Sequence, residues 1–180
     1  LGLNQTYREL QDLSFRHLHS WRYMTLSKAI HKSRNRRRDL VQKVQADVEA
    51  VFTRLGMTAR LAGREKTLYA IYQKMVHKHQ SFAQVTDLHG FRVIVPSVTD
   101  CYTALGMLHQ MYKPVPGKFK DYIALPKING YQSLHTTLVG PSGINIEFQM
   151  RTEEMHVIAE AGVAAHWLYK SEEVEGEPTG

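Results

Sequence analysis

The most suggestive cations of this 180-residue sequence lie between Arg64 and Lys78. Lys66, Ala70, Lys74 and Lys78 are spaced four apart, so a helix over about 65–79 would align them along one stripe. Arg64 would then sit just ahead of the positive end of the helix dipole, and a cationic face beside a helix N-terminus suits phosphate. Leu68, Ile71, Tyr72, Met75 and Val76 give the same helix a core-facing stripe. Carboxylates are few in the second half of the chain. Asp87 precedes the β-branched run 91–95, and Glu147 falls in the alternating run 144–151. A sheet could bring these two acids together, and Mg²⁺ would suit such a pair plus phosphate oxygens, although any exposed strand face also carries acids. Two further segments stand out. Lys118-Phe-Lys120-Asp121-Tyr122 sets two cations beside a strand start, and Lys127-Ile-Asn129-Gly130-Tyr131-Gln132-Ser-Leu-His135 joins turn residues to an aromatic, amides and a histidine. A loop that stacks on a base and a plain hairpin connection both fit the second segment, because Asn-Gly is a strong turn signal.

The elements that must position these groups follow from periodicity. Helical spacing predicts helices over 3–26 and 38–55, separated by the basic run Lys32-Ser-Arg-Asn-Arg-Arg-Arg38, which reads as a solvated surface cluster. Strands are expected at 91–95, 121–125, 135–139 and 144–151, with a helix over 98–112 and a turn or loop at 114–117. In the last strand Ile144, Ile146, Phe148 and Met150 alternate with Asn145, Glu147, Gln149 and Arg151, which predicts one core face and one wholly polar face. A final helix over 153–169 precedes a polar, Glu-rich segment, 171–180, that reads as a disordered tail or linker. This order indicates an α/β or α+β domain with a mixed β-sheet flanked by helices. The boundaries expected are an N-terminal helical part at 1–55, an α/β core at 56–170 and the tail at 171–180.

Composition narrows the function classes. With 43% hydrophobic and 22% charged residues the chain is of ordinary globular type, long enough for one sizeable core. No apolar run approaches the roughly 20 residues that cross a bilayer, and no signal-peptide pattern opens the chain, so a cytoplasmic location without membrane attachment is expected. Cys101 is the single cysteine, set among apolar helix residues, and reads as buried and inert. Residues 1–80 hold 16 Lys/Arg against 6 Asp/Glu, whereas 81–170 hold 7 of each. A polyanionic partner is therefore expected, be it RNA, nucleotide phosphates or an acidic domain. There is no G-x-x-x-x-G-K-[ST] loop, no G-x-G-x-x-G fingerprint and no H-E-x-x-H pair among the ten histidines, so nucleotides would need another holding device and zinc is not expected.

Several long segments resemble the RelA/SpoT synthetases. Gly63-Arg-Glu-Lys-Thr-Leu-Tyr-Ala-Ile-Tyr-Gln-Lys-Met75 is similar to that family's ATP segment, Thr86-Asp-Leu-His-Gly-Phe-Arg92 to its metal segment, and 127–136 to its guanine loop. Asn145-Ile-Glu-Phe-Gln-Met-Arg-Thr152 and Ala164-Ala-His-Trp167 extend the likeness across nearly all of 1–170. The resemblance implies a nucleotidyltransferase-like synthetase fold that transfers pyrophosphate from ATP to the 3′ hydroxyl of GDP or GTP, with Mg²⁺ (or Mn²⁺) as cofactor. It also implies that Leu1-Gly-Leu3 falls in the middle of a longer parent, whose hydrolase and regulatory domains are partners of this one.

By that likeness Arg64, Lys66, Lys74 and Arg92 would bind ATP. Asp87 and Glu147 would be the catalytic and metal residues, with Glu147 either sharing the metal or taking the proton of the attacking hydroxyl. Tyr131 would stack on guanine. Lys118, Lys120, Lys127, Asn129, Gln132 and His135 would contact the acceptor nucleotide, with Gln149 and Arg151 behind them. The basic Lys118-Phe-Lys120-Asp121 resembles the form found in bifunctional, SpoT-like or Rel-like members. Ala70 departs from the family's usual serine, which motivates an alternative: a weak or inactive synthetase-like domain that binds nucleotide or regulates an attached hydrolase. An RNA- or ribosome-binding module is a third reading, though direct nucleic-acid binding is not expected of this fragment.

Overall fold

The computed structural model describes residues 3–77, 79, 82 and 89–161. Expectations for Lys78, Asp87, the 164–167 motif and the tail lie outside the described residues.

Helix α1, Leu3–Leu18, and helix α2, Ser20–Arg54, open the chain. The helical break thus falls at His19, and the basic run at 32–38 lies inside α2 instead of separating two helices. No Gly or Pro interrupts residues 20–54, and Lys and Arg are good helix formers, so nothing there stops propagation. The stop comes at Leu55-Gly56. Gly56 takes φ +70°, its N–H bonds to the Thr53 carbonyl, and the Met57 N–H bonds to the Phe52 carbonyl, the two reversed bonds of a Schellman cap.

Strand β1, Arg60–Glu65, was not foreseen. It lacks β-branched residues, and only pairing with its neighbour makes it a strand. Helix α3 is correspondingly shorter, Leu68–His77. Its apolar stripe is half used: Ile71 is buried, Leu68, Tyr72 and Met75 pack partly, and Val76 is exposed. These side chains meet Phe15 of α1, which stacks on Tyr72 at 4.6 Å, together with Leu26 and Ile30 of α2. The loosely spaced Tyr7, Leu10, Leu13, Leu18 and Trp21 face outward.

Strand β2, His89–Val95, and helix α4, Val98–Met111, match expectation closely. The two-residue strand β3, Lys113–Pro114, replaces part of the expected turn; proline fits there because the strand lies at a sheet edge. Strand β4 is only Lys120–Asp121. The expected strand over 121–125 ends at once because Asp121 Oδ1 accepts the N–H groups of Ile123 and Ala124, folding the chain into a turn. Strands β5, Leu134–Val139, and β6, Asn145–Thr152, form a hairpin, and helix α5 covers Glu153–Ala161.

The sheet order is β1-β2-β6-β5-β3, with β4 also on β5. The β2–β6 pair is parallel and the others antiparallel, so the sheet is mixed. Phe91, Val93 and Val95, with Ile146, Phe148 and Met150 and with Leu134 and Leu138, fill one face. Against it pack Cys101, Ala104 and Leu108 of α4 and Val44, Val48 and Phe52 of α2. Cys101 is fully buried, and burial pushes its thiol up to about 11. The polar face of β6 is polar in composition but not solvated: Gln149 and Arg151 are buried, 3% and 2% exposed.

Candidate active site

Register assembles that polar face into rows. Arg64 of β1 lies opposite Gly90 of β2, Gly90 opposite Glu147 of β6, and Glu147 opposite Thr137 of β5. The next row runs Ala62, Arg92, Gln149, His135 and Lys120 across five strands. Paired residues share a face, so groups dispersed between positions 62 and 149 become neighbours.

Glu147 sits at the centre. Its Oε2 takes Arg64 Nη1 at 2.8 Å and lies 3.7 Å from Lys66 Nζ, and its Oε1 faces His135 Nδ1 at 3.8 Å. All four side chains are mostly shielded, between 15% and 22% exposed. Gly90 makes this possible. A Cβ there would lie 3.3 Å from the Glu147 carbonyl oxygen and 3.8 Å from Arg64 Cβ, between the two charged partners. Gly90 was not singled out from the sequence, although it stands inside the quoted 86–92 segment, and its small size was the available signal.

The cations are not arranged as a helical stripe. Arg64 belongs to a strand, Lys66 to the link that follows it, and only Ala70 and Lys74 to α3. The N-terminus of α3 is also occupied, since Asp12 Oδ1 accepts the Tyr69 N–H at 2.9 Å and Thr67 Oγ1 the Ala70 N–H at 3.2 Å. Ala70 itself is exposed. Arg92 pairs with Glu160 of α5 at 2.8 Å, and burial lowers its pKa despite that partner.

The second half of the site is aromatic. Gly130 adopts φ +74°, its N–H bonds to the Lys127 carbonyl, and Asn129 Oδ1 accepts the Tyr131 N–H. The segment is therefore a tight turn, as Asn-Gly predicts, and the same turn sets Lys127 Nζ 4.6 Å from the centre of the Tyr122 ring and 5.1 Å from that of Tyr131. Tyr131 Oη lies 2.7 Å from His135 Nε2 and 3.1 Å from Arg151 Nη2, and Arg151 also donates to Gln149 Oε1 at 2.6 Å. His135 has its pKa pulled down to about 4 by burial first, then by Arg151, Arg64 and Lys127, against the opposing pull of Glu147. Burial likewise lowers Arg151, whose Nε, like that of Arg92, has no hydrogen-bond partner among the described residues.

The remaining expected residues lie at the rim. Lys120 ends the second row opposite His135, Lys118 is exposed two residues before it, and Gln132 Nε2 holds the Ile123 carbonyl. Chemically, the face brings together cations, a central carboxylate and an aromatic–cation cluster. Among the described residues no three His, Cys, Asp or Glu side chains cluster as metal ligands; Glu147 alone offers a single carboxylate, and Mg²⁺ there would need phosphate oxygens for most of its shell.

Residues 63–174 match the region found in RelA / SpoT proteins. The chain is 48% identical over 170 residues to the guanosine-3′,5′-bis(diphosphate) 3′-pyrophosphohydrolase of Haemophilus influenzae, covering 94% of this chain and 25% of that protein. It is 47% identical over 170 residues to the bifunctional (p)ppGpp synthase/hydrolase SpoT of Escherichia coli K12, again 94% of this chain and 24% of that one. To the GTP pyrophosphokinase of Streptomyces coelicolor it is 45% identical over 176 residues, 98% of this chain and 21% of the relative. The chain thus spans about a quarter of the length of these relatives. The crystal structure of small alarmone synthetase 1 from Bacillus subtilis, bound to its product pppGpp, shares the fold with TM-score 0.62 at 23% identity, over 80% of this chain and 83% of that one. No described helix is long and apolar enough to cross a membrane. With the family match covering more than half of its length and including Arg64, Arg92, Tyr131, His135, Glu147 and Arg151, this chain belongs to the RelA/SpoT family.

Proposed function

We propose that this chain is a (p)ppGpp synthetase domain, transferring pyrophosphate from ATP to the 3′ oxygen of GDP or GTP. The observation that carries the reading is Glu147, held between two phosphate-type cations on one side and the His135–Tyr131 cluster on the other. The relatives named GTP pyrophosphokinase support it. In this reading Arg64, Lys66, Lys74 and Arg92 hold the ATP phosphates, exchanging their carboxylate partners for phosphate oxygens. Tyr131 stacks on guanine, while Lys127, Asn129, Gln132, His135 and the rim lysines Lys118 and Lys120 contact the acceptor nucleotide, with Gln149 and Arg151 beneath. Glu147 takes the proton from the 3′ hydroxyl as its oxygen attacks the β-phosphorus, and AMP leaves. With Glu147 as the base, Asp87 would hold Mg²⁺ or Mn²⁺, which would supply charge neutralisation at the phosphates. Most of the rate gain then comes from alignment and fixed charge. The reaction is assigned to the cytoplasm, within a longer chain that also carries hydrolase and regulatory domains.

The alternative of a nucleotide-binding domain with little turnover draws on Ala70, whose methyl offers no donor on the exposed side of α3. Both readings meet one experiment. The purified chain is incubated with ATP, GDP or GTP and Mg²⁺, and AMP and alarmone are followed by chromatography beside a Glu147→Gln control. Product above the control is expected. No product with nucleotide still bound would overturn the synthetase reading, and restored synthesis in Ala70→Ser would locate the cause.

A further inference from the structure

Four side chains on this face form a directional chain. Arginine has donors and no acceptor, so the 3.1 Å contact between Arg151 Nη2 and Tyr131 Oη can run only from arginine to tyrosine. The tyrosine hydroxyl then has its own proton to place, and His135 Nε2 lies 2.7 Å away. A neutral imidazole that accepts at Nε2 must carry its proton on Nδ1. That nitrogen faces Glu147 Oε1 at 3.8 Å, on the side of the carboxylate opposite the cations at Oε2. Arg151 is itself anchored by Gln149 Oε1 at 2.6 Å and is almost fully buried, so the head of the chain is held on two sides.

We propose that the Tyr131 hydroxyl, oriented by Arg151, fixes His135 in its Nδ1–H tautomer and thereby turns an N–H, instead of a lone pair, toward the free oxygen of Glu147. The inference rests on the synthetase reading only for its consequence. Arg64 and Lys66 hold Glu147 at Oε2 in the structure; once they turn to ATP phosphates, the Nδ1–H, 3.8 Å from Oε1 and so a directed dipole short of a hydrogen bond, biases the carboxylate toward one orientation, as a base needs for a defined proton path. With the opposite tautomer a lone pair would face the carboxylate and push it away. His135 and Tyr131 are thus positioning residues for Glu147, beyond any contact they make with a nucleotide. The hydroxyl has a task that a phenylalanine ring, equal to it in stacking, could not perform.

The test separates hydroxyl from ring. Long-range proton–nitrogen correlation spectra of the histidine-labelled chain report which ring nitrogen carries the proton, and His135→Gln identifies the His135 signals by their disappearance. The wild type should show a protonated Nδ1 and a bare Nε2, and Tyr131→Phe should move the pattern toward Nε2–H with the backbone amide spectrum otherwise retained. A wild-type His135 protonated at Nε2, or a pattern unchanged in Tyr131→Phe, overturns the proposal. Kinetics give the second arm: Tyr131→Phe should keep KM for the guanine nucleotide and lower kcat about tenfold, on the scale of one hydrogen bond. An unchanged kcat, or a loss confined to KM, also counts against it. A chain with the expected tautomer and no synthesis would refute the synthetase reading while leaving the tautomer lock standing.

Discussion

In the structure Glu147 is the counter-ion of Arg64 and Lys66, and in the proposed reaction those cations belong to ATP. Glu147→Gln should therefore tighten metal-free ATP binding while destroying turnover. Two unit charges about 4 Å apart at an effective dielectric constant near 20 attract by about 4 kcal/mol. Most of that is offset by desolvation: exposed pairs contribute about 0.2–1 kcal/mol, and breaking a buried one costs about 3–5 kcal/mol. Arg64 and Glu147 are 22% and 17% exposed, between those limits, so about 1–2 kcal/mol of competition should vanish with the charge. That corresponds to roughly 5–30-fold tighter ATP.

The assay is calorimetric titration of ATP into wild type and Glu147→Gln in excess EDTA, where no divalent cation takes part. The same change takes the carboxylate charge from beside Arg64, so the unliganded variant should unfold at lower urea concentration and recover when ATP is added. Turnover with Mg²⁺ should fall by about 10²–10⁴, the usual contribution of a general base. Weaker metal-free ATP binding in the variant would refute the reasoning, because Glu147 would then not be competing with phosphates for these cations.

Two further outcomes follow from the same face. His135 binds its proton in the folded protein only near pH 4 against an ordinary 6.5, so between those values the unfolded chain binds more protons and stability falls as pH drops. The loss is about 3 kcal/mol in full, absent above about pH 7; urea unfolding at pH 7.5, 6 and 5 should show a shallower slope in His135→Gln, and equal slopes would contradict the assignment. His109 and His156, also lowered by burial, contribute in both proteins alike. At Gly90, the branches of Gly90→Val would extend between Arg64 and Glu147 from a Cβ already 3.3 Å from the Glu147 carbonyl. The variant should keep its near-UV circular dichroism and lose at least about tenfold in ATP affinity, roughly one partly buried charge contact; wild-type affinity would show that the gap serves no ligand.

Much of the architecture was legible because its signals are strong and local. The alternation of 144–151 marks β6, and the β-branched run marks β2. What could not be read depends on pairing across distance. β1 contains Arg-Leu-Ala-Gly-Arg-Glu, a poor strand by propensity, and becomes one only by lying along β2. Because that strand was unseen, Lys66 was expected on a helix stripe with Lys74, and Arg64 just ahead of its start. They reach Glu147 instead through sheet register, and the α3 N-terminus that the stripe would have served is closed by Asp12 and Thr67. Capping by a residue some 57 positions earlier leaves no local trace.

The alternation of β6 carries a further ambiguity that bears on function. Period two separates apolar from polar residues but does not separate a polar face bathed in water from one that is buried and wired together. Gln149 and Arg151 are buried, yet their types are those of a surface strand. Burying a guanidinium is costly unless it is satisfied, and Arg151 spends its Nη2 donors on Gln149 and Tyr131. A merely solvated face would have no reason to retain such a group. The cost is consistent with an arginine kept to orient its neighbours, which is why the hydroxyl of Tyr131, more than its ring, is the atom on which the arrangement of Glu147 turns.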